Sequence, residues 1–296
     1  MTACLFDLYF LLSYTNLMEN KRLDEKLFDE GYFDSLQTAR GWIMAGRVVV
    51  DGKTITQTGY RVKVNAAISL RGMRLKYASK GGYKLERALQ KFELDVSGLQ
   101  CLDAGASTGG FTDCLLQAGA AFVYAVDVGY GQLRGSLALD QRVRSMERTN
   151  IGSVTSASFQ PAIDFACADL SYLSMSSALP QIRSLFSTDA YRIVFLIKPL
   201  YEGLNEHDKS NTEAIRPVLC KLFESLSEEG FVIENSCASP ILGGRGAMEF
   251  LAYACSQPTR DAAPSRKMAA SVLTDAAIAD AMALPVLPVE QFVRNA

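Results

Sequence analysis

The chain of 296 residues has a single histidine, His207, set in the polar run NEHDKSN. That scarcity excludes most zinc sites, so no metal site is expected. It also leaves any catalytic proton transfer to Lys, Asp, Glu, Tyr or Cys. The seven cysteines (4, 101, 114, 167, 220, 237 and 255) stand singly, without CxxC spacing. They read as buried, reduced thiols of a cytoplasmic protein rather than a disulfide or metal framework. No apolar run is long enough to span a bilayer. The stretch from Cys4 to Tyr14 is too short, carries Asp7, and lacks the basic flank of a signal peptide. Met18 is an alternative start, so residues 1–20 read as an extension ahead of the first module.

Net charge is also scarce, at −2 for the whole chain. Its distribution is uneven. Residues 40–91 carry 12 Lys or Arg against two acids, Asp51 and Glu86, a net of +10 that leaves −12 for the remainder. A solvated charged face usually mixes signs, whereas a one-signed block suits a polyanion such as RNA. Apolar content of 49% and charged content of 21% are those of an ordinary globular protein with ample core.

Residues 21–72 read as a small α+β module. KRLDEKLFDEGYF and SLQTARGWIMAG are short helices, the second with Ser35 as N-cap and Gly46 as terminator. RVVVDGKTI is a strand, an Asp-Gly turn and a strand. A basic link at 73–83 follows, with Gly72, Gly81 and Gly82 as a hinge. From residue 84 to 257 continuous apolar runs alternate with helices, the pattern of a mostly parallel sheet covered on both faces. Its strands end in Asp103, Asp127, Asp169 and Lys198-Pro199. One helix, NTEAIRPVLCKLFESLSEEG, should break or kink near Pro217. The Ala-rich tail, 258–296, contains one helix-forming stretch, ASVLTDAAIADAMAL, and is assigned no function.

The glycine-rich stretch DAGASTGGFTD, residues 103–113, admits four readings. A phosphate-binding P-loop would need a Lys after Gly109 or Gly110, and none is there. The dinucleotide fingerprint G-x-G-x-x-G has Ser107 where its middle glycine belongs. Gly105-Ala-Ser107-Thr-Gly109 fits the nucleophile elbow G-x-S-x-G, but its histidine could only be His207. The fourth is an S-adenosylmethionine pocket. Asp103 ends the first strand, Gly105, Ser107, Gly109 and Gly110 bring backbone close to the ligand, and Asp127 about twenty residues on can accept ribose hydroxyls. Asp169 and Lys198 both leave buried strands, where an unpaired charge is costly.

The pattern R-L-D, then Ala39-Arg40, then G-x-V-x-V-D-G at 46–52 resembles the alpha-L RNA-binding module of the ribosomal protein S-four type. The resemblance implies binding to structured RNA, with Arg40 a phosphate contact. Arg22, Arg47, Lys53, Arg74, Lys76 and Lys80 are the other candidate RNA contacts. Lys84, Asp169, Lys198 and Glu249 match, one by one, the K-D-K-E tetrad of FtsJ-type ribose 2′-O-methyltransferases. The full arrangement resembles the TlyA family, in which such a module precedes an FtsJ-like domain. The matching segments are SKGGYKL, LDAGASTGGFTD, AVDVGYGQL, ERTNI, ADLSYLS, LIKP and GAMEFL, within residues 21–256. Leu200-Tyr201 departs from a more usual Gln-Phe on the substrate side, and Ala247-Met248 stands where a polar residue is more usual before Glu249.

The resemblance implies a Rossmann-like, seven-stranded, mostly parallel sheet and S-adenosylmethionine as cofactor. The implied activity is 2′-O-methylation of ribosomal RNA, on cytidine of the small subunit, the large subunit or both, with ribosomal RNA or subunits as partner. It also implies roles. Lys198 is the base, its pKa lowered by burial and Lys84. Asp169 orients Lys198 and also borders the cofactor, and Glu249 positions Lys84 or the 2′-OH. Rival readings are a non-catalytic RNA-binding protein with a relic methyltransferase domain, and a membrane-active haemolysin. No membrane partner is expected, and the sequence leaves monomer and homodimer open.

Overall fold

The computed structural model describes residues 20–29, 32–33, 35–63, 66, 68–72, 76–171, 173–256 and 268–284. Among these the chain divides into two compact units, one running from residue 20 to Lys76 with 243–245, the other from Tyr77 onward.

The first unit starts with β1 (Asn20–Arg22), α1 (Leu23–Asp29) and α2 (Leu36–Met44). Ser35 caps α2 as expected, its side chain accepting from the Thr38 amide at 3.1 Å. The helix stops as Gly46 turns left-handed, at φ +66°. β2 (Val48–Val50) and β3 (Lys53–Ile55) pair antiparallel in the register Val50–Lys53. The two residues between them, Asp51 and Gly52, both have positive φ, the geometry of a tight hairpin turn. β4 (Arg61–Lys63) pairs with β1, and β5 (Ile68–Leu70) with β2. Leu23, Leu27, Phe33, Ala39, Ile43, Val48, Val50, Ile55, Val62 and Leu70 form its core.

The second unit opens with α3 (Gly81–Lys91). The hinge expected at Gly81 and Gly82 is instead the first turn of this helix. Gly82 is there because a Cβ would lie 2.3 Å from the Tyr77 ring, so close packing rather than flexibility selects it. There follow β6 (Gln100–Ala104), α4 (Gly110–Gln117), β7 (Phe122–Val126), α5 (Gly135–Ala138), β8 (Val143–Met146), β9 (Phe165–Ala168), α6 (Met175–Arg183), β10 (Arg192–Ile197), α7 (Thr212–Glu228), β11 (Val232–Ala238), β12 (Phe250–Cys255) and α8 (Ala270–Ala283). The strand order is β11-β12-β10-β9-β6-β7-β8. β8 to β10 lie parallel through β6, and β12 inserts antiparallel between β10 and β11.

One detail differs from the sequence expectations. Pro217 does not break α7, which runs on through it while Ile215, Leu219, Leu222, Phe223 and Leu226 pack against the sheet. The tail helix α8 is part of the core, burying Leu273, Ala277 and Ile278.

Register sets the position of the chemistry. Ala104 lies opposite both Val126 and Ala168, so Gly105, Asp127 and Asp169 leave the sheet at one level of its carboxyl edge. Because β12 runs the other way, its first residues are at that same edge. Phe250 pairs with Ile197, so Glu249 and Lys198 step off the sheet side by side.

Candidate active site

Asp169 and Lys198 form one ion pair at 2.6 Å, and Lys84 and Glu249 form another in direct contact. Lys84 and Glu249 are buried, at 5% and 7% exposure, which a charge tolerates only when paired. The pairs also act on each other. Lys84 and Lys80 add to the field on Asp169, and Glu249 adds to that on Lys198. Four residues spread over 166 positions of sequence thus meet as one alternating cluster.

The ammonium of Lys198 also donates to the Leu170 carbonyl at 3.0 Å and the Ser171 hydroxyl at 3.2 Å. Its charge state differs from the expectation. Burial does push Lys198 down, but Asp169 and Glu249 outweigh it, and the group is held above its ordinary value. Burial likewise pushes Asp169 up, and Lys198, Lys84 and Lys80 overcome it and hold the carboxyl below its ordinary value. Lys84 is paired with Glu249, and that carboxylate is itself among the groups that raise Lys198.

The glycine loop sits beside this cluster. Gly105 has φ +89°, and a Cβ there would stand 2.4 Å from the Asp169 carbonyl oxygen, so the loop passes directly against the carboxyl end of β9. Gly109 is left-handed at φ +93° as the N-cap of α4, and Gly110 is its first residue. The Asp127 carboxylate accepts from the amides of Ser107 at 2.8 Å and Gly129 at 2.6 Å, one on each oxygen. A carboxylate oxygen has two acceptor directions, so each retains one for a ribose hydroxyl. The close-passing glycines and this half-exposed diol acceptor fit the cofactor expected from the sequence.

Asp103 is placed differently from Asp127. It is fully buried, its Oδ2 accepting from the Thr112 hydroxyl at 2.6 Å, and burial pushes its carboxyl up to about 7. It braces the loop onto α4 from beneath. The nucleophile elbow finds no support. The Ser107 hydroxyl bonds Gln132 at 3.3 Å, whereas His207 is 79% exposed and pairs with Asp208.

In the first unit, Asp24 is fully buried and holds Arg22 through Nε and Nη2, at 3.0 and 2.9 Å, and Arg40 through Nε, at 2.8 Å. Burial opposes the charge on Asp24, but the two guanidiniums overcome it and bring the carboxyl to about 2. Both arginine side chains remain partly exposed, at 39% and 46%. Arg47 lies over the Trp42 ring at 5.2 Å, and Lys53 is exposed on β3. Lys76 is half-buried, and Lys80, also half-buried, contributes to the field on Asp169. Arg74 lies outside the described residues. Asp24→Asn should lower stability by about 1–2 kcal/mol at neutral pH. A carboxyl depressed from 3.8 to about 2 stabilises the fold above pH 4 and loses that contribution as pH falls toward 2. The gap between variant and parent should therefore narrow as pH falls toward 2 and close below it. Trp42 is the single tryptophan, so its fluorescence during urea unfolding checks this for the first unit alone.

Sequence reasoning missed Ser171, although it stands two places after Asp169 in ADLSYL. It also missed Glu202, whose carboxylate accepts from the Met175 amide at 2.8 Å and ties the turn after Lys198 to the start of α6. No pattern in the sequence links those two segments. Tyr201 places its ring 5.8 Å from the Lys198 ammonium.

The FtsJ-like methyltransferase family matches residues 77–254, and the S4 domain matches residues 21–68. The 16S/23S rRNA (cytidine-2'-O)-methyltransferase TlyA of Mycobacterium tuberculosis is 38% identical over 248 residues, 81% of this chain and 91% of that protein. Hemolysin A of Brachyspira hyodysenteriae is 38% identical over 240 residues, 78% of this chain and 98% of that protein. A solved structure from Streptococcus thermophilus, also bearing a haemolysin name, superposes with a TM-score of 0.70 at 34% identity, covering 87% of this chain and 95% of its own. Among the described residues no helix is long and apolar enough to cross a membrane. With its tetrad assembled at the sheet edge and an RNA-binding module ahead of it, the chain belongs to the TlyA family of FtsJ-like methyltransferases.

Proposed function

We propose that this protein methylates the 2′-hydroxyl of a cytidine in ribosomal RNA, using S-adenosylmethionine. The observation that carries the reading is the Lys84–Glu249 and Asp169–Lys198 cluster beside the Gly105 loop. When bound, the cofactor supplies an electrophilic methyl group on a sulfonium. Gly105, Ser107, Gly109, Gly110 and Asp127 would hold it, with Asp169 bordering the site and Asp103 bracing the loop from below.

The chain's own residues do the rest. A ribose hydroxyl is a poor nucleophile at neutral pH, so a base must take its proton as it attacks. Lys198 in its neutral form is that base. Asp169 favours the ammonium that forms, and the Leu170 carbonyl and Ser171 hydroxyl fix its direction. Lys84, held by Glu249, presents a second cation to the reacting oxygen. Alignment supplies much of the acceleration, because the displacement is in line.

Arg22 and Arg40, presented by Asp24, with Arg47, Lys53, Arg74 and Lys76, would hold RNA phosphates. Such contacts position the substrate, and the 2′-OH distinguishes RNA from DNA. Lys80, which also adds to the field on Asp169, would join these phosphate contacts. The test is transfer of labelled methyl from the cofactor to ribosomal subunits, followed by mapping of 2′-O-methyl positions. Label is expected on cytidine of the small subunit, the large subunit or both, with RNA affinity falling steeply as salt rises. Absence of label with cofactor bound would support the relic reading. The protein works in the cytoplasm on this view, where ribosomal RNA is made and folded.

A further inference from the structure

The tail helix α8, to which the sequence assigns no role, reaches the back of the catalytic cluster through one side chain, Asp280. Its two oxygens accept from Arg87 Nη2 at 2.9 and 2.8 Å, and Lys91 stands 3.3 Å away. The Asp280 Oδ2 atom also accepts from the Ala238 amide at 3.0 Å, and Arg87 Nε donates to the Ala238 carbonyl at 3.3 Å. Asp280 and Arg87 thereby grip both sides of one residue at the end of β11.

From that grip two short paths lead to the tetrad. Arg87 is three residues after Lys84 on α3, so the two side chains share a helix face. Ala238 is paired with Phe250, and the next amide, Ser239, donates to the Glu249 carbonyl at 2.9 Å. The paths meet again at the Lys84–Glu249 ion pair. A small cavity lined by Ala238, Ser239, Met248, Glu249, Ala281 and Leu284 shows that α8 and Glu249 border the same space. The ring is closed: helix tail, Arg87, Lys84, Glu249, Ala238, helix tail.

We propose that Asp280 is a positioning residue for methyl transfer, fixing the distance between α3 and β12 and so the geometry of the Lys84–Glu249 pair. This rests on the tetrad reading above. Asp280 touches no reacting atom. It is also not explained as an ordinary surface ion pair, because it is only 14% exposed and takes a backbone amide together with its cations. The fold gains its hydrophobic anchorage from Leu273, Ala277 and Ile278, two to seven residues earlier on α8, which leaves the carboxylate free for this second task.

The test is a cycle of kcat and KM measurements on the full chain. Asp280→Asn should lower kcat about 10- to 100-fold, with KM for S-adenosylmethionine nearly unchanged, since misplacement of a catalytic group costs rate. Asp280→Glu should recover part of that loss. In a Glu249→Gln background the same Asp280→Asn change should add less than about threefold, because both substitutions disable one unit. Unchanged kcat in a folded Asp280→Asn variant overturns the proposal. So does a loss that multiplies with that of Glu249→Gln, since it would mark general destabilisation. Full activity in Glu249→Gln alone overturns the tetrad reading and this proposal with it. Should Asp280→Asn fail to fold, Arg87→Gln interrogates the same ring from α3 and is expected to give the same split between kcat and KM.

Discussion

Lys198→Ala should lower the rate of methyl transfer about a thousandfold or more, with cofactor affinity and RNA affinity close to those of the parent. General-base catalysis is worth roughly 10²–10⁴, and this lysine also sets the field in which the hydroxyl oxygen gains charge. The cofactor loop, Gly105 to Gly110, and the Asp127 acceptor stand on β6 and β7 and take no bond from Lys198. Alanine leaves Asp169 without its direct partner, so a loss could reflect a disturbed site. Lys198→Arg separates the two causes. A guanidinium keeps the positive charge opposite Asp169, but it does not give up its proton in a protein. Arginine should therefore preserve stability and remain nearly as inactive as alanine. Turnover within tenfold of the parent in Lys198→Arg would remove the lysine from the role of base. The measurement is single-turnover transfer of labelled methyl to ribosomal RNA at saturating enzyme.

The sheet was legible because its central strands are continuous apolar runs. LQCLDAG, AFVYAVD, FACAD and IVFLIKP each announce both a buried strand and the polar residue that leaves it. β8, with the pattern VRSM, was not legible. It is an edge strand with Arg144 and Ser145 exposed, and neither alternation nor an apolar run marks it. The K-D-K-E residues were legible by resemblance; register brings Glu249 beside Lys198, while Lys84 comes to them from helix α3. The direction of the Lys198 shift was not. Burial and a neighbouring cation argue for a lowered value, and only the fold places Asp169 at 2.6 Å and Glu249 in the field. Asp103 illustrates the same limit. A strand-end carboxylate reads as a ligand contact until Thr112, one helix turn into α4, is found at its oxygen. Gly82 was read as freedom and is constraint, because sequence carries no record of the Tyr77 ring above it. The Asp280 ring joins α3, β11, β12 and α8, and no local pattern encodes a bond over 193 positions.

Asp169→Asn should move the rising limb of the pH–rate profile to lower pH while reducing its plateau. In the free enzyme Lys198 is held above its ordinary value, chiefly because Asp169, then Glu249, outweighs burial. The resting protein at neutral pH therefore carries Lys198 as the ammonium, which cannot accept a proton. The rate, followed as kcat/KM, should climb tenfold per pH unit through neutrality and into the alkaline range, because only the small neutral fraction reacts. Asparagine removes the largest cause that raises Lys198 and leaves burial, which lowers it. The neutral fraction at a given pH grows, so the climb begins earlier. The same change withdraws the charge that stabilises the ammonium as it forms in the transition state. The plateau should fall by about a hundredfold. The two effects oppose each other at neutral pH and separate only across the full profile. A uniform loss of rate with an unmoved limb would mean that Asp169 holds the cofactor or the fold without governing the base. A limb displaced to lower pH ties the carboxylate to Lys198 specifically, since Lys84 has its own partner in Glu249.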